Sequence, residues 1–213
     1  MDRATWRRYQ EMMIRARFAA AFLFLLALAA QARVPQWTLV DLGTLGGDFS
    51  IASAVGNDGA VAGYSIAPNP GAAPGQPTGL SHAFLWRNGT MVDLGEYPNS
   101  EGVTVVDMNE SGTIVASGLT TGALVWRDGQ WTQLADNAYP HAINNAGVIV
   151  GQHAFGVHTE AFVYTGSALL GLGTFGGSDS VAIGVNDRGW IVGAAKNARG
   201  AYRGFLLIKR MLK

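Results

Sequence analysis

The chain is expected to be an all-β repeat protein, a β-propeller-like ring of about four four-stranded blades, on three observations. One turn phrase returns four times: V-G-N-D-G-A-V-A-G at 55–63, M-N-E-S-G-T-I-V-A at 108–116, I-N-N-A-G-V-I-V-G at 143–151 and V-N-D-R-G-W-I-V-G at 185–193. Its glycines, Gly59, Gly112, Gly147 and Gly189, lie 53, 35 and 42 residues apart. At that pitch each unit buries its apolar face only against its neighbours. Around the turns, runs of about five residues rich in Val, Ile and aromatics, bounded by Gly and Asn, have the pattern of strands. No segment after residue 32 holds a competing helical period. The two ends are also out of phase. A V-D-L-G strand at 34–43 has no aromatic strand before it, and an aromatic strand at 202–208 has no V-D-L-G strand after it. If the first completes the last blade, the ring closes and only short edges remain. An open array of β-hairpin sheets is the alternative.

Each unit resolves into four runs. The V-D-L-G-like run falls at 37–43, 90–95, 130–134 and 168–173; the run entering the turn at 50–55, 102–108, 139–143 and 180–185. The run leaving the turn falls at 60–64, 113–117, 148–152 and 190–194. The aromatic run is H-A-F-L-W at 82–86, G-A-L-V-W at 122–126, E-A-F-V-Y at 160–164 and R-G-F-L-L at 203–207. The Asn-x-x-Gly turns fit a type I turn closing in the left-handed region, which makes the runs on either side of each one a hairpin. Arg87-Asn88-Gly89, Arg127-Asp128-Gly129 and Thr165-Gly166 supply the next turns. Asn88-Gly89-Thr90 is also a glycosylation sequon, and the Asn-Gly pair reads first as a hairpin turn. Residues two apart in a strand share a face. Phe84 with Trp86, Leu124 with Trp126, Phe162 with Tyr164 and Phe205 with Leu207 are therefore expected to fill the space between stacked sheets.

The first 32 residues stand apart from this pattern. Arg3, Arg7, Arg8, Arg15 and Arg17 precede 13 uninterrupted apolar residues at 18–30, and Ala30-Gln31-Ala32 is a small-x-small cleavage pattern. That run suits a secretory signal peptide, since a spanning helix needs about 20 apolar residues. The expected organisation is a signal peptide over 1–32, cleaved after Ala32, with an uncleaved N-terminal anchor as the alternative, and a single β-repeat domain of four units over 33–213. No membrane span is expected after cleavage. Removing 1–32 takes five Arg, Asp2 and Glu11 from 15 Lys/Arg and 15 Asp/Glu, which leaves a net charge of about −3. Such a chain has no basic footprint for nucleic acid or anionic lipid. With no cysteine it has neither a disulfide framework nor a thiolate metal site.

These phrases resemble the bacterial extracellular repeat family named for its His-Ala-Phe (HAF) signature. Asp41-Leu42-Gly43-Thr44-Leu45-Gly46-Gly47, His82-Ala83-Phe84-Leu85-Trp86 and Leu172-Gly173-Thr174-Phe175-Gly176-Gly177 match its pattern, and the resemblance covers nearly all of 33–213. It departs where Gly56 replaces the turn Asn and where Gly122, Glu160 and Arg203 stand in the place of His82. What the resemblance implies is an exported, extracellular or periplasmic repeat protein; it carries no catalytic residues over.

Motifs that bear chemistry are few. His153 and His158, five apart in what reads as a connector, could approach one metal ion, but their spacing matches no established zinc signature. Gly46-Gly47-Asp48-Phe49-Ser50 and Gly176-Gly177-Ser178-Asp179-Ser180 resemble calcium loops, yet the nonapeptide alternation is missing, and a tight turn is expected. Asp93, Glu96, Glu101 and Asp107 are available for acid–base work without a motif to pair them. The proline-rich connector at 67–80 is the one insertion, placed where repeat arrays often bind. No catalytic, cofactor-binding or metal residue is assigned. The sequence points to an exported non-catalytic module that binds or scaffolds an extracellular protein or glycan. A lectin-like propeller and a small secreted hydrolase with a carboxylate pair are the alternatives. No feature of the sequence sets an oligomeric state.

Overall fold

The computed structural model describes residues 36–68 and 79–208. The leader 1–32 and residues 69–78 of the proline-rich connector lie outside them. The chain divides into two units, Met1–Asp41 and Leu42–Lys213. The described residues of the first, 36–41, contain no strand. Those of the second form fifteen strands and no helix.

The strands make four antiparallel sheets that follow one another along the chain. The first holds β1 (Ser50–Val55), β2 (Val61–Ile66), β3 (Ser81–Arg87) and β4 (Thr90–Gly95). The second holds β5 (Val103–Met108), β6 (Ile114–Gly118), β7 (Gly122–Arg127) and β8 (Gln130–Ala135). The third holds β9 (Ala138–Ile143), β10 (Ile149–Phe155), β11 (His158–Tyr164) and the short β12 (Leu169–Gly171). The fourth has three strands, β13 (Gly176–Val185), β14 (Ile191–Asn197) and β15 (Tyr202–Leu207). Each Asn-x-x-Gly phrase joins a sheet's first two strands, and each aromatic run is the third strand, as the phrasing predicts.

Among the described residues the expected ring is not closed. Residues 36–43, the described part of the V-D-L-G run at 34–43, are not a strand, and β15 pairs only with β14. Packing runs between successive sheets, β2 and β3 against β5, β6 and β7 against β9, β10 and β11 against β13. Among the described residues no comparable packing joins β1–β4 to β13–β15. Without that contact a fourth strand has no ladder to complete, and the four sheets are an open array.

The register explains the repeated pattern of large and small residues. Gly63 lies opposite Phe84, Gly151 opposite Phe162, and Gly193 opposite Phe205; the second sheet sets Ala116 opposite Leu124. At each of the three glycines a Cβ would run into the opposing phenylalanine ring. The ring thus lies flat across its neighbouring strand, which keeps the sheet thin enough for the preceding sheet to stack. Phe84, Leu124 and Phe162 are fully buried.

Each sheet has two unlike faces. Toward the preceding sheet it presents Ile, Met and the aromatic pair. Toward the next it presents Ala and Val. Between the first and second sheets, Ala62, Ala83 and Leu85 meet Met108, Ile114, Leu124 and Trp126. Val115, Ala123 and Val125 then meet Ile143, Ile149, Phe162 and Tyr164. Val150, Ala161 and Val163 meet Val185, Ile191 and Phe205 in the same way. Trp131 adds a polar tie, donating from Nε1 to the Leu94 carbonyl at 3.0 Å across the first interface.

The core contact generates a paired expectation. Phe162→Ala should lower unfolding free energy by about 3–5 kcal/mol, the range for emptying a buried aromatic site. Gly151→Ala should also destabilise, by about 1–3 kcal/mol or more, because its new methyl meets the Tyr139 carbonyl and Pro140 Cα as well as the ring. Urea denaturation monitored by circular dichroism measures both.

Candidate functional site

The most ordered polar feature is a ladder built from the four turns. In each, the glycine N–H closes the turn on a carbonyl three residues back: Gly59 on Gly56, Gly112 on Asn109, Gly147 on Asn144 and Gly189 on Asn186, at 2.8–3.0 Å. These glycines sit at φ of 75–80°, a region where a Cβ is strained. The turn asparagine caps its own loop. Asn109 Oδ1 accepts from the Ser111 and Thr113 N–H groups, Asn144 Oδ1 from Val148, and Asn186 Oδ1 from Arg188 and Trp190. Gly56 has no side chain for this task, and Asp58 Oδ1 takes over, accepting from the Ala60 N–H.

The free amide of each asparagine then reaches the following turn. Asn109 Nδ2 donates to the Asn144 carbonyl at 3.1 Å, and Asn144 Nδ2 to the Asn186 carbonyl at 2.8 Å. A second rail runs one residue along. The Asn57 N–H donates to Glu110 Oε2, the Glu110 N–H to Asn145 Oδ1, and the Asn145 N–H to Asp187 Oδ1. Every backbone donor on that rail points toward the C-terminal neighbour. Asn109 and Asn144 are buried, so their amides would be costly to leave unpaired.

Beside the ladder lies a polar cleft of about 310 Å³, lined by Asn109, Ser111, Thr113, Arg127, Asp128, Asn145, Ala146 and Gly147. Arg127 enters it at the end of β7 and donates from Nε to Thr113 Oγ1 at 3.3 Å. Its counterpart Arg87, at the end of β3, is instead bound to the Asp58 carboxylate at 2.6 Å. The second turn has Ser111 where the first has a carboxylate, so the Arg127 guanidinium faces hydroxyls and amides. The Asp128-Gly129 turn beside it, like Asn88-Gly89, has positive φ at both residues, the hairpin geometry expected for these pairs.

Of the four carboxylates singled out in the sequence, Asp93 and Asp107 hold strands, whereas Glu96 Oε2 is buried with no hydrogen-bond partner among the described residues. Asp107 accepts from the Met108 N–H and, across the sheet interface, from the Ile143 N–H at 2.9 Å. Asp93 lies 3.0 Å from His82 Nδ1 and accepts from the Gly95 N–H. Glu160, which stands in the place of His82, performs a related task by accepting from the Gly173 N–H at 2.7 Å. In the first and third sheets the glycine N–H at the end of the V-D-L-G-like run is thus capped by a carboxylate from different positions, Asp93 beside His82 in one and Glu160 itself in the other. Asp179 accepts from the Thr159 N–H and pairs with Lys196 Nζ at 2.5 Å.

Two sequence readings of these segments change. His153 and His158 are not in a connector. They lie on β10 and β11, where His153 stands opposite Glu160 and His158 opposite Phe155 in a hairpin. No group of three or more His, Cys, Asp or Glu side chains gathers as a metal cage among the described residues. The Gly176-Gly177-Ser178-Asp179 segment, expected to be a tight turn, is wholly strand, because β13 begins at Gly176. The turn ahead of it is set by hydroxyls in both copies. Thr44 Oγ1 and Thr174 Oγ1 donate to the Gly47 and Gly177 carbonyls, while Ser50 Oγ and Ser180 Oγ donate to those of Gly43 and Gly173. The turn ladder was missed in the sequence, although a signal existed in the recurrence of Asn109, Asn144 and Asn186 at one position.

No protein-family model, curated protein or solved structure matches the chain.

The ladder predicts unequal roles for equivalent residues. Asn144→Asp keeps an acceptor for the Val148 N–H but sets a carboxylate against the Asn186 carbonyl. A loss of about 1–3 kcal/mol is expected from the forfeited buried hydrogen bond, and a smaller one for Asn186→Ala, whose side chain is exposed. Chemical denaturation of both variants checks the order. The ion pair adds a pH dependence. The hydrogen bonds from Lys196, Ser178 and Thr159 hold the Asp179 carboxyl well below its ordinary value of 3.8, and Asp179 raises the Lys196 ammonium. A depressed carboxyl contributes stability that is fully present above its unfolded value and fades as pH falls below it. The melting-temperature gap between the native chain and Asp179→Asn should therefore be widest at neutral pH and narrow progressively below pH 3.8.

Proposed function

We propose that the protein is an exported, non-catalytic binding or scaffold module of the HAF-repeat kind, and that its ligand-facing surface is the polar cleft beside the turn ladder. The observation that carries this reading is the employment of the acidic side chains. Asp93, Asp107, Glu110, Glu160 and Asp179 all accept hydrogen bonds that fix strands or turns. Groups so engaged are poorly placed to exchange protons with a substrate. Binding, by contrast, calls for rigid polar groups on a scaffold, with differences between copies providing selectivity. The cleft meets that description, since Arg127 there is not bound by a carboxylate as Arg87 is.

The expected leader supports export, and the His-Ala-Phe phrases support an extracellular or periplasmic setting. In this reading the four sheets are blades of a propeller-like ring whose closing contacts come from outside the array. A carbohydrate is the favoured ligand class over a protein, because amides, hydroxyls, one guanidinium and the Asp128 carboxylate around a 310 Å³ cleft suit a hydroxyl-rich molecule.

A glycan array probed with the purified protein tests the ligand class. Saturable binding to one sugar class, lost in Arg127→Ala with the fold retained, is the expected result; no sugar bound, with a protein partner captured instead, would leave only the scaffold reading. Export is tested separately by mass spectrometry of the secreted chain, which should begin at Arg33.

A further inference from the structure

The two open ends of the array are complementary, and we propose that they join head to tail with a second copy of this chain. The outer face of β13–β15 in one copy would pack on the opening face of β1–β4 in the next. The inference does not depend on which ligand the cleft takes.

The first support is burial compared between equivalent positions. Val192 on β14 occupies the place of Ala62, Val115 and Val150, each of which is 0% exposed beneath the following sheet; Val192 is 48% exposed. Leu206 on β15 stands in the place of Val125, which is 7% exposed, and is itself 53% exposed. At the other end Val55 matches Met108 and Ile143, which are 8% and 6% exposed against the preceding sheet, whereas Val55 is 72% exposed. Each internal interface is made by one face of the first kind meeting one of the second. Among the described residues the fourth sheet therefore ends in an uncovered face of the first kind, and the first sheet opens with Val55 uncovered beside Phe84, which is already fully buried on the same face.

The second support is polar and independent of apolar area. Asn186 is exposed, while its equivalents Asn109 and Asn144 are buried because their amides serve the next turn. Among the described residues no further turn receives the Asn186 amide. At the start of the ladder, the Gly56 carbonyl is bonded by the Gly59 N–H, as the Asn144 and Asn186 carbonyls are by their own glycines. Those two each accept a second bond from a preceding asparagine. Asn186 of one copy and the Gly56 carbonyl of the next would make the missing rung, and the Asp187 N–H with Asn57 Oδ1 the missing piece of the second rail. The directions agree, since the ladder's outgoing donors are at the fourth sheet and its unfilled acceptors at the first.

The third support is the missing strand. β4, β8 and β12 each complete one sheet and lead into the next. The run at 34–43 leads into β1 and shares Val-Asp-Leu-Gly with the end of β4, while the fourth sheet lacks such a strand. By chain order, the sheet it would complete is the one placed before the first, which in this assembly is the neighbour's fourth sheet. A heterologous contact of this kind closes into a ring or extends as a filament according to the rotation per copy.

Complementation between end-blocked variants tests the proposal. Sedimentation of the native chain should give at least twice the single-chain mass. Val192→Lys with Leu206→Lys blocks one end and Val55→Lys the other, and each variant alone should sediment as a single chain with an unchanged circular dichroism spectrum. Mixed, the two variants keep one intact face of each kind and should form a species of two chains and no larger. A native chain that sediments as one copy overturns the proposal, as do oligomers that survive both blocks. So does a mixture in which the folded variants fail to pair. Should the lysines unfold the chain, Asn186→Ala, which adds no buried charge and leaves the Asn145–Asp187 rail intact, is to replace the first block. It should weaken native association at least tenfold, and an unchanged association constant counts against the ladder.

Discussion

Asn144 holds two turns at once. Its carbonyl oxygen receives Gly147 and the Asn109 amide, its side-chain oxygen caps Val148, and its amide passes on to Asn186. A single buried residue thereby sets the shape of one turn and its spacing from two others. Stacking of apolar sheet faces is non-directional and tolerates sliding. Hydrogen bonds between turns do not, so the ladder fixes the relative placement that lets Ile149 and Phe162 meet Val115. The larger share of the favourable free energy is in the sheet faces, and uniqueness comes from the turns.

The same logic orders the rest of the chain. Because both faces of each internal sheet are covered, its strands alternate two kinds of apolar residue rather than apolar with polar. Small residues go forward and large ones back, which lets successive sheets nest. The polar side chains are pushed to the rims. There Asp107, Glu160 and Asp179 are consumed by backbone donors, and in the cleft beside the ladder the Arg127 guanidinium is not bound by a carboxylate.

Much of this was legible in the residues. Strand order, hairpin turns and the packing role of Phe84, Leu124, Phe162 and Phe205 follow from spacing, since period-two alternation and positive-φ glycine leave local marks. Ring closure was not legible, because it depends on the angle between successive sheets, which no short phrase encodes. The histidines at 153 and 158 were misplaced for a related reason: Phe155-Gly156-Val157-His158 has no Asn-Gly or Asp-Gly pair, yet the chain turns there within a hairpin. The cleft was hidden because it depends on an absence. Ser111 stands where Asp58 has a carboxylate, and only the neighbouring guanidinium shows what that omission does.

The polarity of the ladder also bears on how the chain acquires its structure during synthesis. Asn109 and Asn144 each depend on a carbonyl that emerges from the ribosome later than they do. A newly made sheet therefore has its own strands complete but carries an amide that only its successor can satisfy, and until then water must remain at that seam. The nascent array is kept provisional at its growing end, and each seam dries only when the following sheet arrives.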